Sequence, residues 1–212
     1  MIGLLRFFAF VFPILGTFAV TPDEALKRLM EGNNRYIKEE LIHPDTGMKT
    51  RKSNLLTQYP YATILGCSDS RVPPELIFDE GIGDLFVVRV AGNVVGPIEQ
   101  DSIEYAAIYL GSSLILVMGH ENCGAVKAVI EGNTKDIEDV AVLIQPAVNA
   151  AKKQGGSAIL KNAIQKNAEN VAHQLQRSPV LSKLIQEGKI RIVPAYYNFL
   201  SGKVELITAK GE

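Results

Sequence analysis

The sequence predicts an α/β fold: a mostly parallel sheet of four parallel strands plus an antiparallel edge strand, with helices on both faces. Three observations predict it. Apolar runs at residues 61–66 (YATILG), 85–91 (LFVVRVA) and 114–118 (LILVM) have the length of buried strands, and each ends on or runs into glycine. Helical patterns alternate with these runs, and parallel neighbours need such crossovers. Two last apolar segments, 190–197 and 204–207, flank Ser201-Gly202 and close the chain like a hairpin.

The composition bounds what the chain can be. Its 212 residues, 47% hydrophobic and 21% charged, can bury one core without staples, so residues 20–212 are expected to form a single domain. The formal net charge of −1 leaves no basic footprint for nucleic acid or an anionic membrane. Two cysteines are too few for a disulfide scaffold; they allow one bridge or two metal ligands. No repeat, low-complexity segment or linker interrupts the pattern.

Residues 1–19 read differently. Arg6 precedes an uncharged stretch (FFAFVFPILGTFAV), and the small residues Thr17 and Ala19 suit a secretory signal cut after Ala19. The run is short for a bilayer, which takes roughly 20 residues, and Pro13 breaks it. A buried N-terminal helix or an uncleaved anchor are the alternatives. The expectation is export, to the periplasm in a Gram-negative source, with no stable membrane span after processing.

The elements then follow in order. Thr21-Pro22-Asp23-Glu24 combines an N-cap, a first-turn proline and a capping-box glutamate, opening a helix over 21–40. Residues 41–58 are polar and irregular. The strand at 61–66 opens into Cys67-Ser68-Asp69-Ser70. Arg89 interrupts the second strand, and a charge in a buried strand needs a partner. Helices are expected at 103–110 and 124–131, and helical stretches continue to Gln176. Ser178-Pro179 starts another that Gly188 ends, before the closing strand pair.

Both cysteines fall at the carboxyl ends of strands, where chemistry gathers in such sheets. Cys67 follows the first strand, and His120-Glu121-Asn122-Cys123 follows the third. Two thiolates and one imidazole suit zinc, and three protein ligands leave a position where water can bind and lose a proton near neutral pH. From spacing alone three readings stand. The set is a metal site, or Cys67 and Cys123 form a disulfide, or both are inert buried thiols beside a satisfied loop histidine.

The surrounding residues narrow this. Cys67-Ser68-Asp69-Ser70-Arg71-Val72, the later Gly119-His120-x-x-Cys123-Gly124 and the intervening LFVVRVAGN together resemble the β-class carbonic anhydrases, over residues 21–207. The resemblance implies zinc-dependent, reversible hydration of carbon dioxide to bicarbonate and a proton through a zinc-bound hydroxide. It implies one Zn2+ per protomer on Cys67, His120 and Cys123. Asp69 and Arg71 become a catalytic dyad. Arg71 holds the Asp69 carboxylate by bidentate hydrogen bonds, so that Asp69 is a metal ligand only in a closed state.

Further positions resemble substrate contacts. Gln58 matches an amide that binds bicarbonate, Phe86 and Tyr105 match cleft walls, and Gly124 leaves space and a backbone donor at a helix start. Read without the family, these are a surface glutamine, a core phenylalanine and a core tyrosine. Ile64 stands where some bacterial members have a tryptophan, which makes the chain resemble the constitutively open subgroup. The resemblance also implies a homodimer or homotetramer. In it the first helix reaches over the partner, and Gln58 and the aromatics line the neighbouring site. Two alternatives remain: a carbonyl sulfide or carbon disulfide hydrolase on the same scaffold, and a non-catalytic bicarbonate-binding zinc protein, against which the intact Asp69–Arg71 pair speaks. His43 and His173 match nothing and are expected in solvent.

Overall fold

The computed structural model describes residues 20–208, so the expected signal at 1–19 lies outside the described residues. Five strands form one sheet: β1 (Ala62–Gly66), β2 (Leu85–Arg89), β3 (Leu114–His120), β4 (Arg191–Tyr197) and β5 (Val204–Leu206). Their order across the sheet is β2-β1-β3-β4-β5. The first four are parallel and β5 runs antiparallel at one edge, as the sequence predicts. Every residue of β1 and β3 is buried, which accounts for their unbroken apolar runs: helices cover both faces. At the other edge β2 is only half-buried.

Eight α-helices and a short 3-10 turn (Ala91–Asn93) complete the described residues: α1 (Pro22–Ile37), α2 (Met48–Ser53), α3 (Pro74–Ile77), α4 (Pro97–Tyr109), α5 (Gly124–Glu131), α6 (Glu138–Gln154), α7 (Ile159–Gln176) and α8 (Pro179–Gln186). Side chains alternate across the sheet with period two. Ile64, Leu116 and Met118 pack with Leu29 of α1, Val126 of α5 and Ile144 of α6. Leu65, Ile115 and Val117 pack on the opposite face with Ile103 of α4, Leu175 of α7 and Leu181 of α8.

The capping box at Thr21 and Glu24 forms as expected, and α1 buries Ala25 and Leu29 in its own protomer's core. Asn33, also buried, ties α1 to two distant segments. Its amide donates to the carbonyls of Ile77 and Gly202, and its oxygen accepts the Val204 N–H.

Several expectations need correction. Residues 41–58 contain α2, which buries no residue and has no side-chain cap, so no periodicity betrays it. The four-residue α3 is too short to show a helical period in the sequence. Helix α4 starts at Pro97 rather than 103, because its first turn is stabilised locally: the Glu99 carboxylate accepts the Gly96 N–H at 2.9 Å. Strand β3 continues past 118 to His120, since Gly119 and His120 still pair with Tyr196 and Tyr197. His120 is therefore a strand residue.

Candidate metal centre

Parallel register brings the ends of β1 and β3 side by side, with Gly66 opposite Met118. Cys67 is the first residue beyond β1, His120 ends β3, and Cys123 caps α5. The three are buried, and their donor atoms all lie within 4.8 Å of one another. The two cysteines are free thiols.

His120 is oriented for ligation. Its Nδ1 lies 2.9 Å from the Glu121 carbonyl, which can only accept, so Nδ1 carries the proton and Nε2 the lone pair. Nε2 is buried and has no hydrogen-bond partner. An orphaned buried nitrogen is costly, and here it lies among two sulfurs. That N,S,S set fits zinc.

The two thiols perturb each other in opposite directions. Contact with Cys123, together with the Asp69 and Gly92 N–H groups, pulls the Cys67 thiol below its ordinary value, against the effect of burial. The same contact with Cys67, with burial, pushes Cys123 up. Gly92 N–H donates to the Cys67 sulfur at 3.2 Å.

Asp69 and Arg71 form the fork that the motif suggests. Arg71 Nε and Nη2 donate to the two Asp69 oxygens at 2.9 and 2.7 Å, and the Arg71 backbone N–H adds a third bond at 3.0 Å. These bonds hold the carboxyl well below the usual range despite some burial. Asp69 Oδ2 stands 3.9 Å from His120 Nε2, at the rim of the cluster. Gly124 is exposed beside Cys123, and a Cβ there would meet nothing within 4 Å.

Two residues that sequence reasoning did not place complete the site. Arg89 finds its partners in the carbonyls of Cys67 and Asp69. Phe199, in the turn after β4, lies under the Arg71 guanidinium at 4.4 Å and against the His120 ring at 5.4 Å. No motif surrounds Phe199, and nothing in the sequence singles it out.

Gln58, Phe86 and Tyr105 are not brought to the cysteines within one protomer. Gln58 is exposed ahead of β1. Phe86 pairs with Thr63, four residues before Cys67 and so roughly 13 Å away along the strand. Tyr105 stacks between Phe86 and Tyr109, at 6.3 and 5.3 Å, on an exposed aromatic surface beside the β2 edge. His43 and His173 are exposed, as expected.

Comparison with known proteins agrees with this geometry. The family model described as carbonic anhydrase matches residues 62–204, a span that holds Cys67, Asp69, Arg71, His120 and Cys123. A carbonic anhydrase of Mycolicibacterium smegmatis is 37% identical over 90% of this chain and 96% of its own. The solved structure of the β-carbonic anhydrase CcaA is 25% identical, with a TM-score of 0.68 over 85% of this chain and 94% of that one. Two tetrameric β-carbonic anhydrases from the ascomycete Sordaria macrospora share the fold, with a TM-score of 0.71 at 20% identity over 88% of this chain and 98% of the matched one. With the Cys/His/Cys cluster in the matched span and 37% identity over nine-tenths of its length, this chain belongs to the β-class carbonic anhydrase family.

Proposed function

We propose that this carbonic anhydrase hydrates carbon dioxide reversibly at a zinc ion held by Cys67, His120 and Cys123, with Asp69 and Arg71 as its dyad. The observation that carries the reading is the unpartnered Nε2 of His120 among two thiols, with the forked Asp69 carboxylate 3.9 Å away. Zinc bound there supplies a Lewis acid that brings a water's pKa toward neutrality. The chain's own residues do the rest. Both Asp69 oxygens are occupied by Arg71, which restrains the carboxylate from ligating. Kept ionised by the same bonds, Asp69 can only accept a hydrogen bond, and so it orients the attacking oxygen's remaining lone pair toward carbon. Gly124 leaves room for the substrate beside Cys123.

Gln58, Phe86 and Tyr105 are read as contacts to carbon dioxide or bicarbonate in a neighbouring protomer of a homodimer, with a homotetramer as the larger assembly. Their distance from their own cluster supports this, as does the half-buried β2 edge with Ile82, Ile98 and Tyr109 exposed around it. Residues 1–19 are read as an export signal on their composition, which makes the mature enzyme periplasmic in a Gram-negative source; among the described residues no helix is long and apolar enough to cross a membrane. A mass measurement on the secreted protein checks this reading: the mature chain should begin at Val20.

The deciding experiment is metal analysis beside stopped-flow hydration. One zinc per chain is expected, with turnover lost on chelation and restored by zinc. Denatured, metal-stripped protein should show two free thiols. Turnover that persists without zinc, or a Cys67–Cys123 disulfide in the active enzyme, overturns the reading.

A further inference from the structure

We propose that Arg89 is a positioning residue for the reaction. Its guanidinium fixes the backbone between Cys67 and Asp69 and so sets where the Asp69 carboxylate stands. Arg89 ends β2, and the register places it beside Gly66, the residue before Cys67. The last ladder bond at this end runs from Val90 N–H to the Gly66 carbonyl, at 3.1 Å. Beyond it the chain leaves the sheet, and Arg89 takes over. Its Nε donates to the Cys67 carbonyl at 3.0 Å and its Nη2 to the Asp69 carbonyl at 2.6 Å.

These carbonyls flank the exposed Ser68, so one planar fork spans a short, otherwise solvent-facing stretch like a strut. One end of the strut fixes a sulfur donor, and the other fixes the carboxylate at the cluster's rim. Two arginines thus act on the same aspartate, Arg71 orienting its side chain and Arg89 its main chain. Arg89 bonds to neither donor sulfur nor to the carboxylate oxygens, so its effect is transmitted through Cys67 and Asp69. The half-exposed edge position explains how a charge is tolerated in LFVVRVA: the guanidinium is paired with carbonyls at the sheet's end.

The inference rests on the three-ligand reading, which fails by itself if the wild-type chain carries no zinc. With zinc present, Arg89→Ala and Arg89→Lys are compared with wild type. A displaced group costs up to about 100-fold, so kcat should fall about 10- to 100-fold in both variants while zinc content and KM change little. The visible spectrum of the cobalt-substituted variants should shift, because the ligand set is disturbed. Guanidinium ion added to Arg89→Ala should restore part of kcat, whereas lysine, a point charge, cannot span two carbonyls. Wild-type kcat in either variant overturns the proposal. So does a fall in kcat with an unchanged cobalt spectrum and no rescue by guanidinium. Should Arg89→Ala fail to fold, Arg89→Lys decides by its kcat and cobalt spectrum alone.

Discussion

Both Asp69 oxygens are taken up by Arg71, and the carboxylate nevertheless stands 3.9 Å from the His120 nitrogen that would hold zinc. Only the fork keeps a potential fourth ligand out of the metal's remaining position. Arg71→Ala should therefore keep its zinc and lose hydration activity by at least about 100-fold. The zinc-edge absorption spectrum should gain a carboxylate oxygen. Wild-type activity in this variant would remove the dyad from the mechanism. Asp79 gives a residue-scale prediction away from the site. Burial opposes its ionisation, but bonds from Arg35 and from the Ile42 and His43 N–H groups outweigh it and hold its carboxyl below the ordinary value. A folded pKa below the unfolded value of about 3.9 means that the folded chain binds fewer protons. The stabilisation is then complete above about pH 4 and is lost as pH falls through the folded value. Asp79→Asn should cost about 1–3 kcal/mol at neutral pH, and its gap to wild type should narrow in acid. Thermal midpoints measured across the acid range check this; parallel curves for the two proteins count against it.

At the scale of elements, two glycines separate folding from catalysis. A Cβ on Gly32 would lie 1.8 Å from the Phe78 carbonyl oxygen, so α1 must lift from α3. Gly32→Ala should cost about 1–3 kcal/mol or more in a thermal melt. Gly124→Ala meets nothing within 4 Å, so its melt should match wild type while kcat falls, because the methyl enters the space beside Cys123. Equal kcat in Gly124→Ala would show that this space is not used. The same elements show how far the sequence can be read. β1 and β3 were legible because burial on both faces demands an unbroken apolar run, and α1 because its capping box is local. Helix α2 buries nothing, and the first turn of α4 precedes its apolar pattern, so neither left a periodic trace. In the site, Cys67, His120 and Cys123 were legible from their place at strand ends as one of three readings, and the family resemblance of Cys67-Ser68-Asp69-Ser70-Arg71-Val72 chose among them and supplied the Asp69–Arg71 dyad. Arg89 and Phe199 act across 20 residues or more, through backbone carbonyls and ring faces, and such contacts leave no spacing to recognise.

The whole molecule poses a different question, because one protomer holds the Cys/His/Cys cluster and the proposed substrate contacts in separate places. Phe86, Tyr105 and Tyr109 line a surface beside a half-buried edge strand, away from Cys67, and Gln58 is exposed without a bond to the cluster. A two-fold axis at such an edge makes the contact self-complementary, so each protomer can complete the other's site. Mixing inactive variants tests this directly. Cys67→Ser removes the metal site but leaves Gln58 for a partner, and Gln58→Ala does the reverse. Unfolded together and refolded with zinc, half of randomly paired dimers contain one chain of each kind. In those dimers one site of the two combines an intact Cys67 with an intact Gln58 from the other chain. The mixture should then recover about a quarter of wild-type activity, whereas each variant refolded alone stays near its own low value. If Gln58 served its own chain's zinc, every site in the mixture would still carry one lesion. Activity would then equal the average of the two variants, and the shared-site arrangement would be wrong even for a stable dimer.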